Sequence, residues 1–260
     1  MADVKDQSEL WNVKTLPTHL IDKYKDIPYV ALDIPKIVLD DNFYEVWEAN
    51  KQPIVRVKPD VRYPYSKEEA AAKAASDVWF QDQWTEANWD GMTALSTGKA
   101  DDRWTDPRVN GPKIFPKFFQ QLYSYLPIAR LNLVIFWSNR IPIGFHRDLN
   151  EQLPIPTSFR IFISDNNPRP TFMMEHIPNE QLDTFKGKRL YEGVDPLRVD
   201  LSNCETNTFA YNNLNWCHGA EKIEGHSKIL CALSIDIDWR KYDILLEKSI
   251  QRYGNNLPQQ

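Results

Sequence analysis

Five histidines serve 260 residues, and one of them has a carboxylate two positions on. In RLNLVIFWSNRIPIGFHRDLNEQ an apolar run leads through a Pro and a Gly into Phe145-His146-Arg147-Asp148. Residues i and i+2 of an extended segment project to the same side. His146 and Asp148 therefore share a face, with Arg147 on the other. An imidazole and a carboxylate so placed supply two ligands for a divalent metal, and a third must come from elsewhere in the chain. His218, His176, His226 and His19 are the candidates. His218 is the best placed, just after the strand-like TFAYNN and directly before Gly219. Two histidines and one carboxylate with open coordination positions suit Fe(II) and leave room for a co-substrate and O₂. The competing reading is a solvated surface pair, with His146 and Asp148 beside Arg147 and Arg140.

The elements that must position these residues begin near residue 130. RLNLVIFWS, TSFRIFIS (157–164), TFMMEH (171–176), NTFAYNN (207–213) and SKILCALSIDID (227–238) read as strands between Pro, Asn, Asp and Gly punctuation. No strong helical pattern intervenes, which favours an antiparallel sandwich or barrel over βαβ units. The last of these strands alternates. Ile229, Cys231, Leu233, Ile235 and Ile237 form an apolar face that can cover a core. Lys228, Leu230, Ala232, Ser234 and Asp236 form the other, which opens with a cation ten residues after His218 and continues with small residues, as a cavity lining would.

Upstream, PYVALDIP (28–35) and PIVRVKPD (53–60) read as short strands, and KEEAAAKAASDVWFQDQW (67–84) as a helix. The polar stretch 85–112 reads as a long loop, and PKFFQQLYSYL (116–126) has helical periodicity. WRKYDILLEKSIQRY (239–253) reads as a closing helix capped by Asp238, with Tyr242, Leu245, Leu246, Ser249, Ile250 and Tyr253 on one face. The layout is mainly β with flanking helices. It is expected to be a single domain over 1–260: a helical and mixed part (1–129), a strand-rich core (130–238) and a C-terminal helix (239–260).

Composition narrows the function classes. A net charge of −5, with Lys and Arg interspersed among Asp and Glu, argues against a nucleic-acid partner. Cys204, Cys217 and Cys231 are odd in number and form no CxxC pair, which points away from a disulfide scaffold or a zinc–thiolate site and towards a reducing compartment. The start, MADVKDQSELW, lacks the basic-then-apolar build of a signal peptide. No apolar run approaches the roughly 20 residues needed to span a bilayer. A cytoplasmic protein without a membrane partner is the expectation.

Taken together, His146-x-Asp148, the distal His218 and a basic residue ten positions beyond it resemble the Fe(II)/2-oxoglutarate-dependent oxygenases. FHRD, FRIFIS and FAYNN…HGAEK…SKILCALSIDID are similar to the aspartyl/asparaginyl β-hydroxylase-like group, which includes small-molecule proline hydroxylases. The likeness covers roughly residues 130–238. It implies a double-stranded β-helix (jelly-roll, cupin-like) core, with His146, Asp148 and His218 as Fe(II) ligands and 2-oxoglutarate and O₂ as co-substrates. In that family the basic residue ten past the distal histidine binds the C5 carboxylate of 2-oxoglutarate and is usually Arg; here it is Lys228. Arg160 matches a family arginine that also helps hold the co-substrate. An ammonium lacks the bidentate fork of a guanidinium. Either Lys228 substitutes directly, or Arg160 carries the carboxylate.

The implied reaction is hydroxylation of a C–H bond in an amino acid, a peptidyl residue or a small metabolite, with release of succinate and CO₂. Asp148 argues for hydroxylation, because related halogenases have Gly or Ala there. The separation of 72 residues between His146 and His218 is long for the family, and segment 177–200 reads as an insertion. Two other classes compete: a non-catalytic jelly-roll binding protein, and a cupin-like metalloenzyme that does not use 2-oxoglutarate.

Overall fold

The structure is a computed structural model that describes residues 23–53, 89–96, 109–139, 143–146, 149–150, 153–154, 157–163, 172–177, 196–220 and 229–254. In chain order the strands are β1 (Tyr29–Ala31), β2 (Gln52–Pro53), β3 (Trp89–Ser96), β4 (Ile128–Asn139), β5 (Ile143–His146), β6 (Leu149–Asn150), β7 (Leu153–Pro154), β8 (Thr157–Phe162), β9 (Phe172–His176), β10 (Leu197–Arg198), β11 (Thr208–Asn212), β12 (Trp216–Ala220) and β13 (Leu230–Ile237). The helices are α1 (Phe43–Asn50), α2 (Gly111–Ile114), α3 (Pro116–Tyr125) and α4 (Trp239–Tyr253).

Eight strands pair as a rolled ribbon. Taking β4, β5, β8, β9, β10, β11, β12 and β13 as strands one to eight, the first pairs with the eighth, the second with the seventh, the third with the sixth and the fourth with the fifth, always antiparallel. That nesting defines a jelly roll. It yields a seven-stranded sheet, β1-β11-β8-β13-β4-β3-β2, and a four-stranded sheet, β10-β9-β12-β5. Strands β6 and β7 form a separate two-stranded ribbon.

The alternation read from the sequence of β13 sorts its side chains between two cores. Ile229, Cys231, Leu233 and Ile237 belong to the larger core, on the outer face of the seven-stranded sheet. Helix residues Phe43 and Trp47, Phe118, Phe119 and Leu122, and Tyr242 and Leu246 cover it. Leu230 turns inward to a second, smaller core between the sheets, with Phe172, Met174, Phe209, Tyr211 and Trp216.

Helix α3 follows its apolar period, burying Phe118, Phe119 and Leu122. Its first turn is capped from a distance: the Asp40 carboxylate accepts hydrogen bonds from the backbone N–H of Lys117 (3.1 Å) and Phe118 (2.9 Å). Gly111 opens α2 because nothing larger fits, since a Cβ there would lie 2.5 Å from the Ala94 carbonyl oxygen and 2.6 Å from the Phe119 ring. At α4 the Asp238 side chain accepts from Lys241 N–H at 3.3 Å, as the sequence predicts. The one polar residue on the buried face of α4, Ser249, accepts from Asp33 N–H at 2.8 Å and donates to Leu245 C=O at 2.6 Å.

Two sequence expectations need correction. The stretch 85–112 is not a loop throughout, because Trp89–Ser96 pairs along β4 from Trp89↔Asn139 to Ser96↔Leu133. Its Asp, Gly and Ser give it weak strand propensity, and the long partner strand supplies the pairing instead. Segment 177–200 is not wholly an insertion, because Leu197 and Arg198 pair with Met174 and Met173 as the fifth strand of the roll. The expected helix 67–84, most of the strand 53–60 and residues 178–195 lie outside the described residues. Cys204, Cys217 and Cys231 form no disulfide. No helix among the described residues is long and apolar enough to cross a membrane.

Candidate active site

His146 ends β5 and His218 lies at the centre of β12. The two are direct antiparallel partners. The pairing of the second and seventh strands of the roll sets these two residues opposite each other despite their separation in sequence. On its other side His218 pairs with Met174. Pairing along β12 shifts between His218 and Ala220 on the β5 side, and such irregularities re-aim side chains where they occur.

His218 is 3% exposed and sits among rings. Phe172 stacks on its imidazole at 5.3 Å and 11°, and Tyr211 lies 4.6 Å from it at 56°. His176 takes a different position, exposed at the end of β9 with its ring 5.1 Å from Trp216. Trp216 itself belongs to the inner core, and its indole N–H donates to the Lys25 carbonyl at 3.3 Å. His19 and His226 lie outside the described residues, as do Asp148 and Lys228. Among the described residues no three His, Cys, Asp or Glu side chains form a metal-binding group.

Arg160 lies on β8 in the facing sheet, between Phe209 of β11 and Ala232 of β13. It is 9% exposed. Its Nη1 donates to Phe159 C=O at 3.1 Å, and its guanidinium sits 4.9 Å from the centroid of the Tyr211 ring. Arginine keeps its charge when buried, so β8 carries a fixed cation to the interior. Next to it Ala232, on an inward position of β13, is only partly exposed. Trp137 packs against the inner core, and Asn132 donates to the Asp236 carboxylate at 2.8 Å. Burial pushes the Cys231 thiol up, with Arg160 opposing it more weakly. A thiol so placed is inert as a nucleophile.

No family model and no curated protein sequence matches the chain. Among solved structures, the chain is similar to HygX from Streptomyces hygroscopicus with nickel and 2-oxoglutarate bound, at 10% identity over 84% of this chain and 86% of that one, with a TM-score of 0.39. It is also similar to YcfD, a ribosomal oxygenase from Escherichia coli in complex with cobalt and succinic acid, at 13% identity over 84% of this chain and 57% of that one, with a TM-score of 0.29. The jelly-roll architecture rests on the strand pairing itself.

The donor chemistry fits a metal of the kind the sequence suggests. Imidazole is a common ligand of first-row transition metals, and β5 and β12 each carry a histidine at one paired position. A buried cation on the opposite sheet suits a carboxylate-bearing ligand. Tyr211 and Phe172 are the residues that sequence reasoning passed over. The available signal was the alternation of TFAYN, which puts Phe209 and Tyr211 on one face.

Proposed function

We propose that the chain is one Fe(II)- and 2-oxoglutarate-dependent dioxygenase domain that hydroxylates a C–H bond of an amino acid, peptidyl residue or small metabolite in the cytoplasm. The register pairing of His146 with His218 is the observation that carries this reading. His146, His218 and Asp148, two residues past His146, would hold Fe(II). With 2-oxoglutarate and O₂ bound, the metal would supply the oxidising power to break the C–H bond, releasing succinate and CO₂.

The chain's own residues bind, orient and exclude water. Arg160 would pair with a carboxylate of 2-oxoglutarate, and the Tyr211 ring holds its guanidinium in place. Phe172 and Tyr211 keep the imidazole of His218 from turning. The rings of the inner core exclude water around the site, which strengthens each charge contact within it. Lys228 would supply a second cation for the same co-substrate. A cupin-like enzyme without 2-oxoglutarate would have less use for the buried guanidinium of Arg160.

The test is succinate release from 2-oxoglutarate by purified protein with Fe(II) and O₂, with and without a screen of amino acids. Turnover in the wild type that His146→Ala abolishes is the expected result. No turnover, even uncoupled, together with no calorimetric binding of 2-oxoglutarate, would sink the reading.

A further inference from the structure

One buried side chain touches both halves of this site. Tyr211 lies on β11 and is 1% exposed. It pairs with Ser158, while Phe209 pairs with Arg160, so Tyr211 is the diagonal neighbour of Arg160 on the same face of the seven-stranded sheet. Its ring holds the Arg160 guanidinium at 4.9 Å from the centroid. It also crosses the gap between the sheets to lie 4.6 Å from the imidazole of His218. Phe172 completes the cluster, 5.3 Å from His218 and 5.1 Å from Tyr211.

We propose that Tyr211 is a positioning residue that couples the metal half of the site to the carboxylate half, its one ring fixing the directions of the His218 imidazole and the Arg160 guanidinium together. This inference rests on the reading of the site as one for a metal and 2-oxoglutarate. A ligating nitrogen must be aimed to within about 10–20° of its productive direction. An imidazole packed against two rings has lost the side-chain freedom that would spoil that aim. The guanidinium is held by the same ring, so ordering one group orders the other, and each ligand binds a site that the other has already tightened. The aromatic ring carries this role, and the hydroxyl is dispensable to it.

The experiment uses Co(II) as a spectroscopic probe on full-length, metal-stripped protein. Co(II) is titrated by visible absorption, and 2-oxoglutarate is then titrated by calorimetry into protein saturated with Co(II). Tyr211→Leu is expected to weaken Co(II) binding and 2-oxoglutarate binding, each about 10-fold, the scale of ring and cation–π contacts taken together. Tyr211→Phe is expected to restore both to within about 2-fold of wild type. Phe172→Leu, which removes a ring packed on His218 and Tyr211 and leaves the Tyr211–Arg160 contact in place, is expected to weaken Co(II) binding and leave 2-oxoglutarate affinity at Co(II) saturation within about 2-fold of wild type. Tyr211→Met serves in place of Tyr211→Leu if the latter loses its near-ultraviolet circular dichroism. The proposal is overturned if the ringless variant binds both ligands as the wild type does, or if Tyr211→Phe loses as much as the ringless variant. Wild-type protein that binds neither Co(II) nor 2-oxoglutarate would instead overturn the reading of the site itself.

Discussion

His146 and His218 face each other across β5 and β12 as an in-register antiparallel pair. Nothing local in the chain brings them together. They pair because the second and seventh strands of a jelly roll must pair, and because the register sets His146 opposite His218. A slip of one residue would send one of them to the opposite face of the sheet.

Metal binding should follow this pair and not the other described histidine. Metal-free protein is expected to take up one equivalent of Mn(II) or Co(II). His218→Ala and His146→Ala should each weaken uptake by about 100-fold or more, beyond the 10–100-fold cost of losing an outer-shell partner. His176→Ala should change it by less than about 2-fold, since His176 sits exposed at the strand end against Trp216. Calorimetric titration decides the matter, and equal losses in all three variants would count against the pair.

On the proposed reading, Arg160 and Lys228 should make separable contributions to co-substrate binding. Arg160→Gln removes the fixed interior charge and is expected to raise the dissociation constant for 2-oxoglutarate by about 30-fold or more, the lower range of cost for one partner of a buried charged pair. Lys228→Met should raise it by less than about 5-fold. Thermal shift provides a second readout, because a ligand at 100 times its dissociation constant stabilises the fold by about 2.7 kcal/mol. At the same ligand concentration that stabilisation should fall to about 0.9 kcal/mol or less in Arg160→Gln. The reverse ranking would assign the carboxylate to Lys228.

Legibility of the sequence tracked how locally each feature is determined. Strands β4, β8, β11 and β13 and helices α3 and α4 were readable because their apolar residues recur at the period of the element they form. Strand β12, WCHGA, was not, since its Gly and His weaken the strand signal while its neighbours bury all five residues. Helix α1 was also passed over; it is one short run whose buried residues are Phe43 and Trp47. His146 and His218 could be picked out by type and spacing, and Arg160 through the family resemblance. Their relation through Tyr211 could not, because it depends on two sheets meeting face to face.

The remote cap on α3 is open to a direct stability measurement. Phe115, at the N-cap position, provides no side-chain hydrogen bond, and Asp40 serves the first turn from outside the helix. Asp40→Ala is expected to cost about 1–2 kcal/mol, the upper range for lost caps, because the carboxylate satisfies two N–H groups and faces the positive end of the helix dipole. The neighbouring exposed Asp41 should change stability by less than about 0.5 kcal/mol when replaced by Ala. Urea unfolding with an unchanged m-value is the readout. Equal midpoints for the two variants would refute the capping role.

Alkaline stability should depend on Tyr242. Burial pushes its phenol up to about 12 from the usual 10.0, with its hydrogen bond to Thr157 opposing the shift more weakly. The folded-state value lies above the unfolded one, so the stabilisation is fully present below about pH 10 and is lost as pH rises towards 12. Within that window the unfolded chain gives up the proton while the folded protein retains it. The loss is on the order of 2–3 kcal/mol, at about 1.4 kcal/mol per pH unit. Tyr242→Phe has no proton to lose and should flatten the fall between pH 10 and 12. It should also cost about 1 kcal/mol near neutrality, through the lost 3.2 Å bond to Thr157 Oγ1. Some slope will remain, because burial raises Tyr24 and Tyr29 in the same direction. Urea unfolding of both proteins across this range is the measurement, and parallel stability curves would show that the buried phenol at Tyr242 is not the group responsible.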